Sequence, residues 1–216
     1  MATHRVFKLF GNYLAKAATS TFKPQSYVAY RSRRGLFISA TNLSKAVGSS
    51  GDFFQLFSLS RKFDLNSTEL TKQFRILQNK WHPDKFVGRA KDEQELAARE
   101  SSFINQAYRT LKDPLKRSLY LLKLSGHPLE DGTTESDPEF LMEIMELNER
   151  LADMKSHDDV VALKHSNQEM LDNLQRSFAA AYDSGNFEEA RKIAARMKYY
   201  ANISNKVLHF ERERGL

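Results

Sequence analysis

The chain reads as all-α: an N-terminal helical hairpin with an exposed loop at its tip, followed by a three-helix bundle. Three observations point there. Apolar residues recur at helical spacing in every segment past residue 50, no stretch alternates convincingly as a strand would, and the breaks between segments carry Pro or Gly. A length of 216 residues accommodates one ordinary domain or two small ones, and the apolar and charged fractions of 41% and 28% are those of a globular protein. The absence of cysteine excludes disulfides, a thiol nucleophile and cysteine-ligated zinc or iron within this chain.

Residues 1–50 hold eight Lys or Arg and no Asp or Glu, although the whole chain carries only +6. Over residues 51–216 the balance is 25 basic against 27 acidic, or −2, so the basicity belongs to the N-terminus. That segment is rich in Ser, Thr and Ala, and Val6, Phe7, Phe10 and Tyr13 alternate with Arg5, Lys8 and Lys16. Such composition marks a mitochondrial transit peptide, with a plausible processing point after "RSRRGLF" and a destination in the matrix. The competing reading is a disordered basic arm that binds nucleic acid or membrane; the −2 of the remainder argues against a nucleic-acid-binding protein. No run of eighteen apolar residues occurs, so no membrane span is expected.

"DFFQLFSL" is a short apolar segment. "STELTKQFRILQNKW" opens at Ser67 with Glu69 in its first turn, as a helix start prefers. Leu70, Phe74, Leu77 and Trp81 fall on one side; Lys72, Arg75 and Asn79 fall opposite, with Lys80 nearer the boundary. The next segment places Leu96, Phe103, Ile104, Ala107, Tyr108 and Leu111 on one stripe and ends at Pro114. Two antiparallel helices bury these faces together and leave residues 82 to about 91 as the connecting loop, with His82, Pro83 and Asp84 at the tip. Pro83 makes it hard for the flanking side chains to converge on one small atom. With no nucleophile or metal partner suggested nearby, contact is a better reading of the tripeptide than acid–base chemistry.

A short apolar helix at "DFFQLFSL", the basic helix, "HPD" and a helix carrying "NQAYRTLKDP" together resemble a J-domain, the module that stimulates DnaK-type heat-shock chaperones. The resemblance implies that His82, Pro83 and Asp84 engage the junction of the chaperone's nucleotide and substrate domains. It also implies that Lys72, Arg75, Lys80 and Lys85 meet an acidic surface there, where a basic helix face supplies steering. "INQAYRTLKDPLKRSLYLLKLSG" followed by "FLMEIMELNERL" is similar to the HscB-type subfamily, over residues 52 to 214. Its members deliver an IscU-type iron–sulfur scaffold to a dedicated chaperone, and the resemblance implies that this chain performs no chemistry itself and needs no cofactor or metal. Three departures from the family pattern stand out: Asn148 where a basic residue is common, Tyr199 where Phe is frequent, and no cysteine-bearing N-terminal extension. On this reading residues 1–50 are the transit peptide, 51–125 the J-domain and 126–216 the scaffold-binding bundle.

In the C-terminal part, Phe140, Ile144, Leu147 and Leu151 form a core stripe. Leu141 and Met145 lie on its flank, with Met142 and Glu149 farther round, so the helix is apolar over more of its circumference than a surface helix needs. Two long helices, roughly 157–184 and 186–213, are separated by "DSGN". In the last, Ala190, Ile193, Ala194, Met197, Ala201 and Leu208 define the expected packed side and Tyr199 projects roughly opposite. The residues alone leave Leu141, Met142, Met145 and Tyr199 open between packing against the hairpin and facing a partner. The resemblance assigns them, with Glu149, to the scaffold-binding surface. The six histidines make no metal-ligand spacing, and "GHP" at 126–128 ends a helix at Gly126.

Overall fold

The structure, a computed structural model, describes residues 51–130 and 137–214. The expected transit peptide and its processing point lie outside the described residues. Among the described residues seven α-helices follow one another: α1 (Phe53–Leu56), α2 (Ser67–Trp81), α3 (Lys91–Lys112), α4 (Pro114–Leu124), α5 (Pro138–Asp153), α6 (His157–Asp183) and α7 (Phe187–Arg214). A 3₁₀ turn at Pro83–Phe86 joins α2 to α3, and no strand occurs among the described residues.

Local chemistry sets most of the helix ends. α2 opens at Ser67 as expected and is capped by Asn66, its Oδ1 accepting from the amides of Thr68 and Glu69 at 3.0 and 3.1 Å. Asp113 accepts from the Lys116 amide and Pro114 takes the first position of α4, where a missing N–H costs nothing. Past the end of α4, Gly126 adopts φ +79° and the His127 amide reaches back to the Leu122 carbonyl at 2.9 Å, so "GHP" does stop a helix. Ser156 and Asp159 form a reciprocal capping box at the start of α6. Gly185, at φ +76°, turns α6 into α7.

α2 and α3 pack antiparallel. Phe74 stacks on Tyr108 with centroids 4.0 Å apart, and farther along Ser101 Oγ donates to Gln78 Oε1 at 3.2 Å. α1 is pinned against α4: Phe53 stacks on Tyr120 at 4.4 Å, and the Phe53 amide donates to the Tyr120 hydroxyl. The bundle runs up, down, up. Lys164 meets Glu211 and Asn167 meets Ser204 between antiparallel α6 and α7, while α5 runs parallel to α7.

Two apolar cores result. The first joins Phe54, Phe57, Phe63, Leu70, Trp81, Ile104, Leu111 and Leu121 of the hairpin region to Phe178 of α6 and to Ala190, Ile193, Ala194 and Met197 of α7. The second holds Phe140, Ile144 and Leu147 of α5 against Val160 and Leu163 of α6 and Tyr200, Ile203 and Val207 of α7. A single core therefore crosses the boundary expected at residue 126. Ser125 Oγ and Tyr182 OH share a hydrogen bond at 2.8 Å, and His127 stacks on Phe187, at the same junction.

The last helix departs from expectation. Leu208 is 43% exposed and Ala201 half-buried, whereas Tyr200, Ile203 and Val207 are buried. The N-terminal half of α7 packs on α4, and its C-terminal half is covered by α5 and α6. No single stripe serves both neighbours, so the packed face rotates along the helix. Tyr199 does not stand opposite that face: it is half-buried, edge-on to Phe140 with centroids 5.4 Å apart.

Candidate functional site

Two separate surfaces carry the residues singled out from sequence. The first is the tip of the α2–α3 hairpin. His82 ends α2 at φ −62°, ψ 127°, the extended backbone that a following proline requires. Pro83 then opens the 3₁₀ turn, closed by the Lys85 amide donating to the His82 carbonyl at 3.0 Å. Beneath it Trp81 is buried and lies parallel to Phe86, centroids 6.1 Å apart, with the Arg89 guanidinium over the other ring at 4.9 Å. The tip is thus a braced turn on an aromatic footing.

The turn brings His82 Nδ1 and Asp84 Oδ2 to 3.5 Å, closer than the intervening proline suggested, because a 3₁₀ turn folds positions two apart onto one side. The Asp84 amide also approaches Nδ1, at 3.4 Å. Their side chains are 52% and 85% exposed, a setting that offers a partner hydrogen bonds rather than a desolvated pair for proton transfer. Among the described residues, no group of three or more potential metal ligands gathers.

The four basic residues differ in how they are held. Lys72 already pairs with Glu69 at 3.4 Å. A hydrogen bond from Gln73 and, after it, the Lys72 charge hold the Glu69 carboxyl below its usual range. Lys80 sits over the Trp81 ring at 5.8 Å. Lys85 donates to Asn79 Oδ1 at 2.6 Å, which ties the turn back onto the exposed face of α2. Arg75 is exposed on the same face. Ile76, 53% exposed among them, is an apolar group that helical periodicity marks as off the core stripe.

The second surface lies on α5. Met142 and Met145 are 63% and 61% exposed, so neither packs against the hairpin. Leu141 is half-buried and Glu149 exposed. Polar ties to α7 hold the helix: Arg196 Nη2 to Asp137 Oδ2 at 2.7 Å, Tyr200 OH to Glu143 Oε1 at 2.5 Å, and Lys206 Nζ to Asn148 Oδ1 at 2.6 Å. Burial, followed by the hydrogen bond to Glu143, pushes the Tyr200 phenol far above its ordinary range. Leu141, Met145 and Asn148 make one i, i+4, i+7 stripe on α5, and its last member, Asn148, reaches Lys206 of α7.

Glu149, four residues after Met145 and seven after Met142, borders this face on the side away from Asn148. With Glu146, Asp153, Asp159 and Arg150 it lines an acidic groove between α5 and α6. Glu146 and Asp153 escaped the sequence reading although i, i+3, i+7 spacing with Glu149 announces their shared face. Lys206 escaped it for another reason, since nothing local links it to a residue 58 positions earlier.

Comparison with known proteins finds two family matches in the chain. Residues 52–120 match the DnaJ domain family, and residues 136–208 match the family described as HSCB C-terminal oligomerisation domain. The chain is 38% identical over 161 residues to the mouse iron-sulfur cluster co-chaperone protein HscB, covering 72% of this chain and 67% of that one. It is 34% identical over 166 residues to the HscB homologue of Vibrio cholerae, covering 74% and 96%. The crystal structure of the human co-chaperone HscB superposes with a TM-score of 0.71 at 34% identity, over 74% of this chain and 82% of that one.

Proposed function

The chain belongs to the HscB family of J-domain iron–sulfur cluster co-chaperones, and on that premise we propose that it delivers an IscU-type scaffold protein to a DnaK-type chaperone and stimulates that chaperone's ATPase. The protein itself is no enzyme. Residues 51–125 face the chaperone and residues 126–216 face the client. His82, Pro83 and Asp84 supply the specific contact, with Lys72, Arg75, Lys80 and Lys85 as the surrounding cations. Leu141, Met142, Met145 and Tyr199 form the apolar anchor for the scaffold, with Glu149 at its rim.

The observation that carries this reading is the shared core. The exposed turn and the exposed methionine face are distinct surfaces, yet the first core runs from Trp81 beneath the turn to Met197 in α7, the helix that holds α5. A client bound at α5 is therefore carried at a fixed place relative to the turn that meets the chaperone. Methionine and aromatic groups suit the client side because they offer apolar area with an adaptable fit. The braced turn suits the chaperone side because little entropy is lost when an already ordered loop is recognised. An acid-free segment with eight Lys or Arg in residues 1–50 supports action in the mitochondrial matrix.

The test is a single-turnover ATPase assay with a mitochondrial DnaK-type chaperone and an IscU-type scaffold. His82→Gln is expected to abolish stimulation while leaving scaffold affinity intact. Wild-type stimulation by the variant, or failure of the wild-type protein to bind either partner, refutes the reading.

A further inference from the structure

Lys206 lies in α7, outside every motif discussed from sequence, and its setting is unusual for a surface lysine. Its ammonium is held by the Asn148 amide oxygen at 2.6 Å, and Asn148 is itself fixed by donating from Nδ2 to the Ile144 carbonyl at 2.6 Å. No carboxylate among the described residues lies within ion-pair distance of it. The acids of the last turns of α7 are otherwise engaged: Glu211 with Lys164 at 2.5 Å and Glu213 with His209 at 3.3 Å. A long, strongly hydrated cation has been ordered without being neutralised.

Its position gives that ordering a use. Asn148 completes the stripe of Leu141 and Met145 on α5, and Lys206 is seven residues from Tyr199, two turns along the same side of α7. Ile203, between them, is buried under α5. The seam between the two helices thus runs from Tyr199, against Phe140, past Leu141 and Met145, to the ammonium at its far end. An apolar strip ending in a positioned cation is complementary to a segment that presents apolar side chains followed by a carboxylate. Holding the lysine before the partner arrives lowers the ordering cost of that contact.

We infer that Lys206 is a binding residue of this face, that it takes an Asp or Glu side chain of the scaffold protein, and that Asn148 is the residue that positions it. The inference rests on the reading of the α5–α7 seam as the scaffold-binding surface.

Titration calorimetry with a purified IscU-type scaffold, at low and high salt, tests it. Lys206→Met keeps the aliphatic stem and removes the charge. It is expected to weaken binding about tenfold, the scale of one charge-assisted hydrogen bond, and to flatten the salt dependence. Asn148→Ala leaves the charge but frees it and is expected to cost about threefold, a fraction of the same interaction. In the Lys206→Met background, Asn148→Ala is expected to cost nothing further, because its effect acts through the ammonium. The combined variant Leu141→Ala, Met145→Ala, Tyr199→Ala is run beside them. If Lys206→Met binds like wild type while that triple variant fails to bind, the inference falls and the surface reading stands. If both bind normally, the surface reading falls and takes the inference with it. Should Lys206→Met lower thermal stability with unchanged affinity, the tie is structural only and the inference is overturned.

Discussion

Replacing Phe178 by alanine is expected to destabilise both functional surfaces together, although Phe178 belongs to neither. Its ring is fully buried in α6, tilted against Phe63 with centroids 4.9 Å apart and stacked on Tyr182 at 5.9 Å. Phe63 in turn carries the Arg117 guanidinium at 4.7 Å. Removing a fully buried phenyl group costs about 3–5 kcal/mol when the site collapses only in part, of which the lost aromatic pairs account for roughly 0.5–1.5 kcal/mol each. Against a total stability of about 5–15 kcal/mol for a natural domain, that is a large share. Guanidinium unfolding falls by roughly 4–5 kcal/mol per molar for a protein of this size, so the midpoint should drop by about 0.6–1.2 M. Trp81, the one tryptophan in the chain, sits beneath the HPD turn and reports on the hairpin by fluorescence. Circular dichroism reports on all the helices, of which α6 and α7, with 27 and 28 residues, are the longest. If the first core makes one cooperative unit, both signals shift together in Phe178→Ala. If the dichroism midpoint falls while the Trp81 midpoint stays at its wild-type value, the hairpin folds independently of α6 and the argument for a fixed spacing between the two surfaces fails.

Three further outcomes are expected. Lys72→Ala with Arg75→Ala should weaken ATPase stimulation more at low salt than at high salt, because exposed charges act mainly by long-range attraction that salt screens; a salt-independent loss in the same assay contradicts this. Met142→Ala with Met145→Ala should leave stability within about 0.5 kcal/mol of wild type while weakening scaffold binding by about 1–3 kcal/mol, whereas Tyr199→Ala, half-buried on Phe140, should lower stability by about 1–2 kcal/mol as well; paired melting and calorimetry check both, and equal melting of the two variants refutes the distinction. Asn66→Ala should cost about 1 kcal/mol by removing the acceptor for two amides of α2, read from chemical denaturation, with Ser67→Ala nearly neutral; the reverse order refutes the Asn66 cap.

What the sequence by itself determined is what depends on neighbours a few positions away. The stripes Leu70, Phe74, Leu77, Trp81 and Phe140, Ile144, Leu147, Leu151 place one face of α2 and of α5 inward whatever the partner. Gly126 and Gly185 stop helices through their own positive φ, and Pro83 dictates the extended backbone at His82. The family resemblance needed only such local strings, which is why the HPD turn and the exposed methionines of α5 could be singled out from them. Tertiary structure alone decided the rest. α7 crosses from one neighbour to another along its length, so Tyr200 and Val207 turn inward and Leu208 outward, and Tyr199 finds Phe140. Phe178 enters the hairpin's core across more than a hundred residues of chain. The pairing of Lys206 with Asn148 likewise follows from how α5 is laid along α7, through Phe140, Tyr200 and Arg196. Helical periodicity states which side of a helix is apolar; which apolar or charged group from elsewhere meets that side is set by the packing of all the helices at once.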